Sequence, residues 1–247
     1  MKTTGNTILV TGGGSGIGLA LALRWHDAGN RVIVTGRNAA KLDAAIAGRA
    51  NMTAVALDVT DADAITAFAK DIVARYPDLN VLVNNAGIMA TEDASAKRDL
   101  DHAEATVVTN ILGPIRLIDA LVDHLAAQEG AAIVNVTSGL AFVPLPGAPT
   151  YSATKAAMHS YSVALRIQLA GKVEVIELAP PAVRTDLTPG QSTREGYMPL
   201  GDFADEVMTL FAQQPTPEEI LVQNVLPLRN AEANGNVPQV LAMLKSL

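Results

Sequence analysis

Short apolar runs alternate with longer segments of helical periodicity along most of the chain. Short runs rich in Val, Ile and Leu, bounded by Gly, Asn or Pro, are typical of parallel strands that are buried on both faces. Longer segments with apolar residues three and four apart are typical of amphipathic helices. The pattern predicts strands at residues 7–11, 31–35, 52–57, 81–83, 133–136 and 173–176. It predicts helices at residues 17–28, 39–47, 61–76, 98–127, 151–170, 203–213 and 237–247.

Strands that alternate with helices imply right-handed crossovers and therefore a parallel sheet. We predict an α/β fold built on one doubly wound parallel sheet, a Rossmann fold with helices on both faces, as a single domain over residues 1–247. Beyond Pro180 the pattern loosens. Residues 186–200 are rich in Pro, Gly, Thr and Ser, so we predict a substrate loop or lid region at 186–214. The pattern predicts no helix or strand at residues 215–235.

The composition narrows the classes of function. The 247 residues are 49% hydrophobic, carry a formal net charge of −7 and include no cysteine. An acidic chain is a poor partner for a phosphate backbone, and a chain without cysteine fits a reducing compartment, so we expect no nucleic-acid partner and a cytoplasmic protein. The uncharged stretch 131–154 contains three prolines, which would break a membrane-spanning helix, so we also expect no membrane partner.

A glycine-rich turn joins the first predicted strand to the first predicted helix. Glycine allows positive φ and lets backbone N–H groups approach a pyrophosphate, whose charge the helix N-terminus stabilises. A strand before the turn and a helix after it make a dinucleotide site the better interpretation. The residues assigned to it are Gly12, Ser15, Gly16, Ile17 and Gly18.

The end of the second strand indicates which dinucleotide binds. A carboxylate there binds the adenine-ribose hydroxyls, whereas an arginine accommodates a 2′-phosphate. The chain has Thr35-Gly36-Arg37 and no acid at this point, so we predict NADP (NADPH), although Arg37 could also be a solvated arginine at a helix start. Asp58 and Val59, after the third strand, are placed to meet the adenine edge, though Asp58 could merely cap a turn.

The sequence Tyr151-Ser152-Ala153-Thr154-Lys155 opens a predicted helix, and its spacing puts Tyr151 and Lys155 on one face. An ammonium group and a helix N-terminus both favour a phenolate, so we expect the pKa of Tyr151 to be lowered. Ser138 ends the fifth strand, at the sheet edge where ligands of parallel sheets bind, and it can hold a substrate carbonyl. Asn110 interrupts an apolar stretch, and a buried amide needs partners.

These residues together resemble the classical short-chain dehydrogenase/reductase family over about the first 190 residues. The resemblance implies a catalytic tetrad of Asn110, Ser138, Tyr151 and Lys155, in which Tyr151 is the acid/base for hydride transfer between nicotinamide and a ketone or alcohol. It implies that Lys155 also holds the nicotinamide ribose and that Asn110 anchors a water in a proton relay. Further cofactor contacts are implied for Asn85, Ala86, Gly87, Val183 and Thr185.

The resemblance also implies a homodimer formed by the helices at 98–127 and 151–170. Pro181 stands where the family commonly has Gly, and we predict that the usual seventh strand is absent, which argues against a tetramer. The phrases Val136-Thr137-Ser138-Gly139 and Leu178-Ala179-Pro180-Pro181 are similar to the bacterial DltE-like branch.

Other interpretations stay open. An epimerase or dehydratase shares the Tyr and Lys, and a non-catalytic NADP(H)-sensing module shares the fold. We expect an apolar substrate pocket near Leu140, Phe142, Val143 and Leu145. The histidines lie on separate predicted helices without an acidic ligand set, so we predict no metal site; they are His26, His102, His124 and His159.

Overall fold

The computed structural model describes residues 1–245 and has one seven-stranded sheet in which all neighbouring strands are parallel. The spatial order is β3-β2-β1-β4-β5-β6-β7. The strands are β1 (Thr7–Thr11), β2 (Arg31–Gly36), β3 (Met52–Ala56), β4 (Leu79–Asn84), β5 (Ala132–Val136), β6 (Glu174–Leu178) and β7 (Glu219–Ile220). The order reverses between β1 and β4, which opens a crevice at the carboxyl ends of these strands.

Helices cover both faces, which confirms the predicted α/β doubly wound fold. They are α1 (Gly16–Asp27), α2 (Ala39–Ile46), α3 (Ala62–Arg75), α4 (Asp101–Val107), α5 (Gly113–Ala126), α6 (Pro149–Gln168), α7 (Leu200–Phe211), α8 (Leu226–Arg229) and α9 (Val237–Lys245). Residues 246–247, the end of the last predicted helix, lie outside the described residues.

The two faces of the sheet pack against different sets of helices because alternate strand residues point to opposite sides. On one face α1 and α7 supply fully buried aromatic rings, and Trp25 meets Phe211 edge-on at 5.7 Å. On the other face α3, α5 and α6 cover the sheet with Leu, Ile and Phe side chains. The burial of β1, β4 and β5 at every position explains why their sequences are mainly apolar.

The long helix predicted at 98–127 is one continuous helical run over Asp101–Ala126, but its hydrogen-bond ladder is not α-helical throughout. A π-helical turn, Val108–Leu112, separates α4 from α5. Pro114 has no N–H and therefore cannot donate to the carbonyl of Asn110 in an α-helical ladder, which is a local cause for the wider turn. The run Asp101–Ala126 is long and apolar enough by composition alone to span a membrane, and 44% of its apolar window is buried inside the protein.

One prediction for the region after Pro180 is wrong and one is confirmed. A seventh strand exists, since β7 pairs with β6 through Glu177↔Glu219 and Leu178↔Ile220, and it escaped notice because a two-residue strand leaves no periodic pattern. The helix predicted at 203–213 is confirmed as α7, which lies at the end of the region predicted as a lid, 186–214, and buries Phe203 and Val207 in the core.

Candidate active site

A cleft of about 960 Å³ opens at the carboxyl edge of the sheet, across the point where the strand order reverses. It is lined by most of the residues that the sequence assigned to a cofactor or to catalysis. These are Gly12, Ser15, Gly16, Ile17, Arg37, Asp58, Val59, Asn85, Ala86, Gly87, Ser138, Tyr151, Lys155, Val183 and Thr185. Gly18 and Asn110 do not line the cleft. They pack behind its wall, against Asn85 and Ile88 respectively.

The glycine-rich turn leaves no room for side chains. A Cβ atom on Gly12 would lie 2.9 Å from the Cα of Ala86, and one on Gly18 would lie 2.3 Å from Nδ2 of Asn85. Gly12 and Gly16 also have positive φ, at 64° and 54°. Gly18 is thus required for close packing of the turn, and the turn presents backbone to the cleft at the start of α1.

Asn85 and Thr11 hold the glycine-rich turn against the end of β4. The amide of Asn85 donates to the carbonyls of Thr11 and Gly12, at 2.9 and 3.2 Å. The hydroxyl of Thr11 accepts from the backbone N–H groups of Asn85 and Ala86, both at 3.0 Å. The Asn85 side chain therefore braces the turn, and the cleft wall at this point is the backbone of residues 85–87.

Arg37 is exposed at the end of β2, lines the cleft and makes no side-chain hydrogen bond or ion pair within the described residues. Asp58 lines the cleft and also caps its own turn, because its carboxylate accepts from the N–H and hydroxyl of Thr60 at 2.9 and 2.7 Å. These hydrogen bonds hold the pKa of Asp58 below its usual value, and the charge of Arg37 adds to the effect. Lys41, on α2, also lines the cleft. Sequence reasoning missed it because it lies four residues beyond Arg37, within a helix.

Tyr151 and Lys155 lie in the first two turns of α6, with only 7% and 5% of each residue exposed. The ammonium of Lys155 donates to the carbonyl of Val136 at 2.8 Å and lies 5.5 Å from the centre of the Tyr151 ring. Burial raises the pKa of Tyr151 to about 12, and a hydrogen bond with Ser138 opposes that rise. Burial lowers the pKa of Lys155 to about 8. The expectation of a lowered tyrosine pKa is wrong for this structure, because removal of the phenolate from water outweighs the opposing hydrogen bond with Ser138.

Ser138 begins a short 3-10 turn at the end of β5, and its oxygen accepts from the N–H of Leu140 at 3.1 Å. Asn110 lies in the π-helical turn, where its amide makes three contacts. It accepts from the N–H of Ile88 at 2.9 Å and donates to the Ile88 carbonyl at 3.0 Å and to the Thr154 hydroxyl at 3.2 Å. Asn110 thus ties the loop after β4 to α6, behind Gly87.

The loop after β6 closes the cleft beside the glycine-rich turn. Gln191 donates to the Val183 carbonyl at 2.8 Å and to the Thr185 hydroxyl at 3.2 Å. A Cβ atom on Gly16 would lie 3.7 Å from both Cβ and Cγ2 of Thr185, so the Thr185 side chain lies beside the start of α1. Pro181 lines the cleft as well. Gln191 is a further residue that sequence reasoning missed, since it acts through contacts made only in the folded chain.

The apolar pocket predicted near residues 140–145 is wrong. Val143 is fully buried, and Leu140 and Leu145 pack with it against Val240 and Leu244 of α9. Phe142 lies edge-on to the His159 ring at 5.1 Å. These apolar side chains therefore serve the core and do not line the cleft.

The expectation that the histidines lie without an acidic ligand set is also wrong, for His159. His159 lies with Glu177 and Glu219 in a group whose potential metal-ligand atoms are all within 4.8 Å of one another. Both carboxylates already have partners, because Glu177 pairs with His159 at 2.7 Å and Glu219 with Arg229 at 2.8 Å. His102, on α4, lines the cleft, which the sequence did not predict.

Comparisons with known proteins agree with this geometry. The sequence model of a family described as short chain dehydrogenase matches residues 6–196. An oxidoreductase of Bacillus subtilis, DltE, is 42% identical over 235 residues, which cover 94% of this chain and 93% of that protein.

Two solved structures have the same fold. A short chain dehydrogenase of Burkholderia cenocepacia in complex with NADP is 25% identical, with a TM-score of 0.83 over 99% of both chains. A 3-ketoacyl-(acyl-carrier-protein) reductase of Brucella melitensis complexed with NADH is 27% identical, with a TM-score of 0.79 over 87% of this chain and 94% of that one.

Proposed function

Because the chain belongs to the short-chain dehydrogenase family, in its DltE-like branch, we propose that it is an NADP(H)-dependent oxidoreductase acting on a ketone or secondary alcohol. The observation that carries the proposal is the buried pair of Tyr151 and Lys155, with Ser138 hydrogen-bonded to the phenol, on the wall of the cleft that the glycine-rich turn also lines. A proton donor and a phosphate cradle in one cleft are the two parts that hydride transfer to a carbonyl requires.

The protonation of Tyr151 favours reduction of a carbonyl. With a pKa of about 12, the phenol keeps its proton at neutral pH. Tyr151 can then donate that proton to a carbonyl oxygen as negative charge develops there, and Ser138 can hydrogen-bond to the same oxygen. In the oxidative direction, Tyr151 must first lose its proton, so the same burial disfavours that direction near pH 7.

Lys155 supplies positive charge beside the phenol. Its pKa of about 8 leaves most of the side chain protonated at neutral pH, and the Val136 carbonyl holds the ammonium in place. An ammonium near the phenol stabilises the phenolate that remains after proton donation. Asn110 holds the loop after β4 to α6 and so keeps Gly87 beside Lys155, where a Cβ on Gly87 would lie 3.7 Å from the ammonium nitrogen.

The residues of the cleft fit a phosphorylated dinucleotide. When bound, the nicotinamide supplies or accepts the hydride. The backbone of the glycine-rich turn would hold the pyrophosphate, since side chains at Gly12 and Gly18 would clash. Arg37 and Lys41 would hold a 2′-phosphate by charge-assisted hydrogen bonds, and no carboxylate at the end of β2 opposes it. Thr185, beside the start of α1, would bind the carboxamide.

We also propose a homodimer. Helices α4 and α6 lie side by side and expose large apolar side chains together with the π-helical turn. Ile167 is 77% exposed, which is a high value for an apolar residue in a helix of a water-soluble domain. The exposed large apolar residues in and beside these helices are Leu100, Val107, Leu112, Val163 and Ile167.

The test of the proposed activity is consumption of NADPH, followed by its absorbance, over a panel of aldehydes and ketones. We expect turnover with at least one ketone, and we expect the Tyr151→Phe variant to bind NADPH but not to consume it. NADPH binding without consumption by the wild type would instead support a non-catalytic NADP(H)-sensing module. No NADPH binding would contradict the proposal.

A further inference from the structure

A buried carboxylate lies behind the reacting residues and takes no part in the proposed chemistry. Glu177, on β6, is wholly buried. A buried carboxylate is costly unless its oxygens have partners and its charge is compensated. One oxygen of Glu177 accepts from the Thr137 hydroxyl at 2.6 Å, and the other lies 2.7 Å from Nδ1 of His159.

The two partners of Glu177 belong to the two elements that carry the reacting residues. Thr137 directly precedes Ser138 at the end of β5. His159 lies on α6, one helical turn beyond Lys155 and two beyond Tyr151. Glu177 therefore joins the strand end that holds Ser138 to the helix that holds Tyr151.

A second layer of contacts holds the chain that follows Ser138. Glu219 lies opposite Glu177 in the β6–β7 register, and Arg229 donates to both of its oxygens at 2.8 and 3.0 Å. The Arg229 guanidinium lies 4.8 Å from the centre of the Phe142 ring, whose other neighbour is the His159 ring. The hydrogen bonds to Glu219, with a contribution from the charge of Glu177, raise the pKa of Arg229. Arg229 thus compensates two carboxylates and packs on the loop that begins at Ser138.

We propose that Glu177 and His159 form a positioning pair that fixes the Ser138 hydroxyl relative to the Tyr151 phenol. The inference rests on the proposed function, because it assumes that both hydroxyls bind one substrate oxygen. Neither Glu177 nor His159 lines the cleft, so the pair acts through the residues that it holds.

The expected consequence is a loss of turnover with little change in cofactor binding. A substrate oxygen must lie within hydrogen-bond distance of both hydroxyls at once, and a displacement of about 1 Å at a reacting centre can lower a rate by about 10²-fold. The adenosine end of the cleft, at the ends of β2 and β3, has no contact with the pair. Removal of the pair should therefore lower kcat and leave the Kd of NADPH unchanged.

The experiment compares four variants with the wild-type enzyme. His159→Leu leaves the Glu177 carboxylate buried without its hydrogen-bond partner on α6. Glu177→Gln removes the charge but keeps an acceptor for His159 and a donor for Thr137. The double variant removes the carboxylate that His159→Leu leaves unpaired. Glu218→Gln is the matched control, since Glu218 lies one residue from β7 with a side chain that is 73% exposed.

We expect kcat to fall by about ten-fold or more in His159→Leu and to be largely recovered when Glu177→Gln is added. Glu177→Gln alone should keep most of the turnover, and Glu218→Gln should keep all of it. The Kd of NADPH, measured by fluorescence titration below the melting temperature of each variant, should match the wild type throughout. Should His159→Leu not fold, Thr137→Val tests the same link by removing one hydroxyl, with a smaller loss of kcat expected.

A wild-type kcat in His159→Leu, or a loss that Glu177→Gln does not recover, would overturn the positioning pair. A loss that appears in the Kd of NADPH would overturn it as well. Ser138→Ala and Tyr151→Phe measured alongside separate this outcome from failure of the proposed function. If those two variants keep their turnover, the proposed catalytic roles fail; if they lose it and His159→Leu does not, only the positioning pair fails.

Discussion

The two ends of the cleft are built in different ways. The adenosine end consists of short continuous segments, the turn at 11–18 and the ends of β2 and β3, whose shape depends on glycines and backbone. The reacting end is assembled from side chains distant in the chain, since Ser138 and Tyr151 meet only when β5 packs beside α6, and Glu177 joins them from β6.

The difference separates two kinds of physical control. At the adenosine end, steric exclusion dominates, because a Cβ at Gly12 would collide with Ala86, just after β4, and a Cβ at Gly18 would collide with the Asn85 side chain. At the reacting end, burial dominates, because it raises the pKa of Tyr151 and lowers that of Lys155. We therefore expect substitutions at the reacting end to change turnover and substitutions at the adenosine end to change cofactor affinity.

The largest expected effect is at the reacting end. Tyr151→Phe removes only the phenolic hydroxyl, and general acid catalysis typically contributes about 10²–10⁴-fold. We expect kcat for ketone reduction to fall by that factor, with the Kd of NADPH unchanged in a fluorescence titration. A variant that keeps more than about a tenth of the wild-type kcat would show that Tyr151 is not the acid.

At the adenosine end we expect the converse, a loss of cofactor affinity with turnover unchanged. A charge-assisted contact contributes on the order of 1.5–3 kcal/mol, which corresponds to roughly ten- to a hundred-fold in affinity. Arg37→Ala should raise the KM for NADPH by that factor and leave the KM for NADH and both kcat values nearly unchanged. An equal rise in the KM for NADPH and for NADH would mean that Arg37 does not contact a 2′-phosphate.

The pH dependence of reduction tests the role of the Lys155 charge at the reacting end. Lys155 has a pKa of about 8, below its usual 10.5, so its charge is lost as pH rises through about 8, whereas Tyr151 keeps its proton to about 12. We expect kcat/KM to fall above pH 8, by up to about ten-fold per pH unit. Lys155→Arg keeps its charge at high pH and should lose this limb, whatever its absolute rate. A wild-type profile that stays flat to pH 10 would contradict the role given to the lysine charge.

The smallest expected effect on turnover is on the outer face of α6, which touches neither end of the cleft. Ile167→Asp places a charge in the proposed dimer interface, so light scattering at micromolar protein should report monomer where the wild type gives dimer. A surface substitution of this kind should change kcat by no more than about two-fold in a folded protein. A wild type that is monomeric under these conditions would remove the proposed interface.

Local sequence rules predicted the sheet through β6 and most of the cleft residues, because glycine turns, apolar runs and a Tyr and Lys four apart act over short stretches. They failed where distant contacts decide. Phe142 and Val143 have the composition of a pocket wall, yet they pack against His159 and α9. The pKa of Tyr151 was predicted in the wrong direction because charge spacing can be read from a sequence, whereas the depth of burial cannot.

The shortness of β7 bears on how the protein behaves at high concentration. An open sheet ends in a row of unpaired N–H and C=O groups, which can recruit a strand from another molecule and begin aggregation. Glu219–Ile220 is only two residues long, and the Glu219 carboxylate is held by Arg229. A foreign strand would therefore find few groups to pair with at this rim, and an ion pair lies beside them. Substitutions that lengthen β7 into a regular apolar strand would be expected to promote aggregation through pairing at this edge.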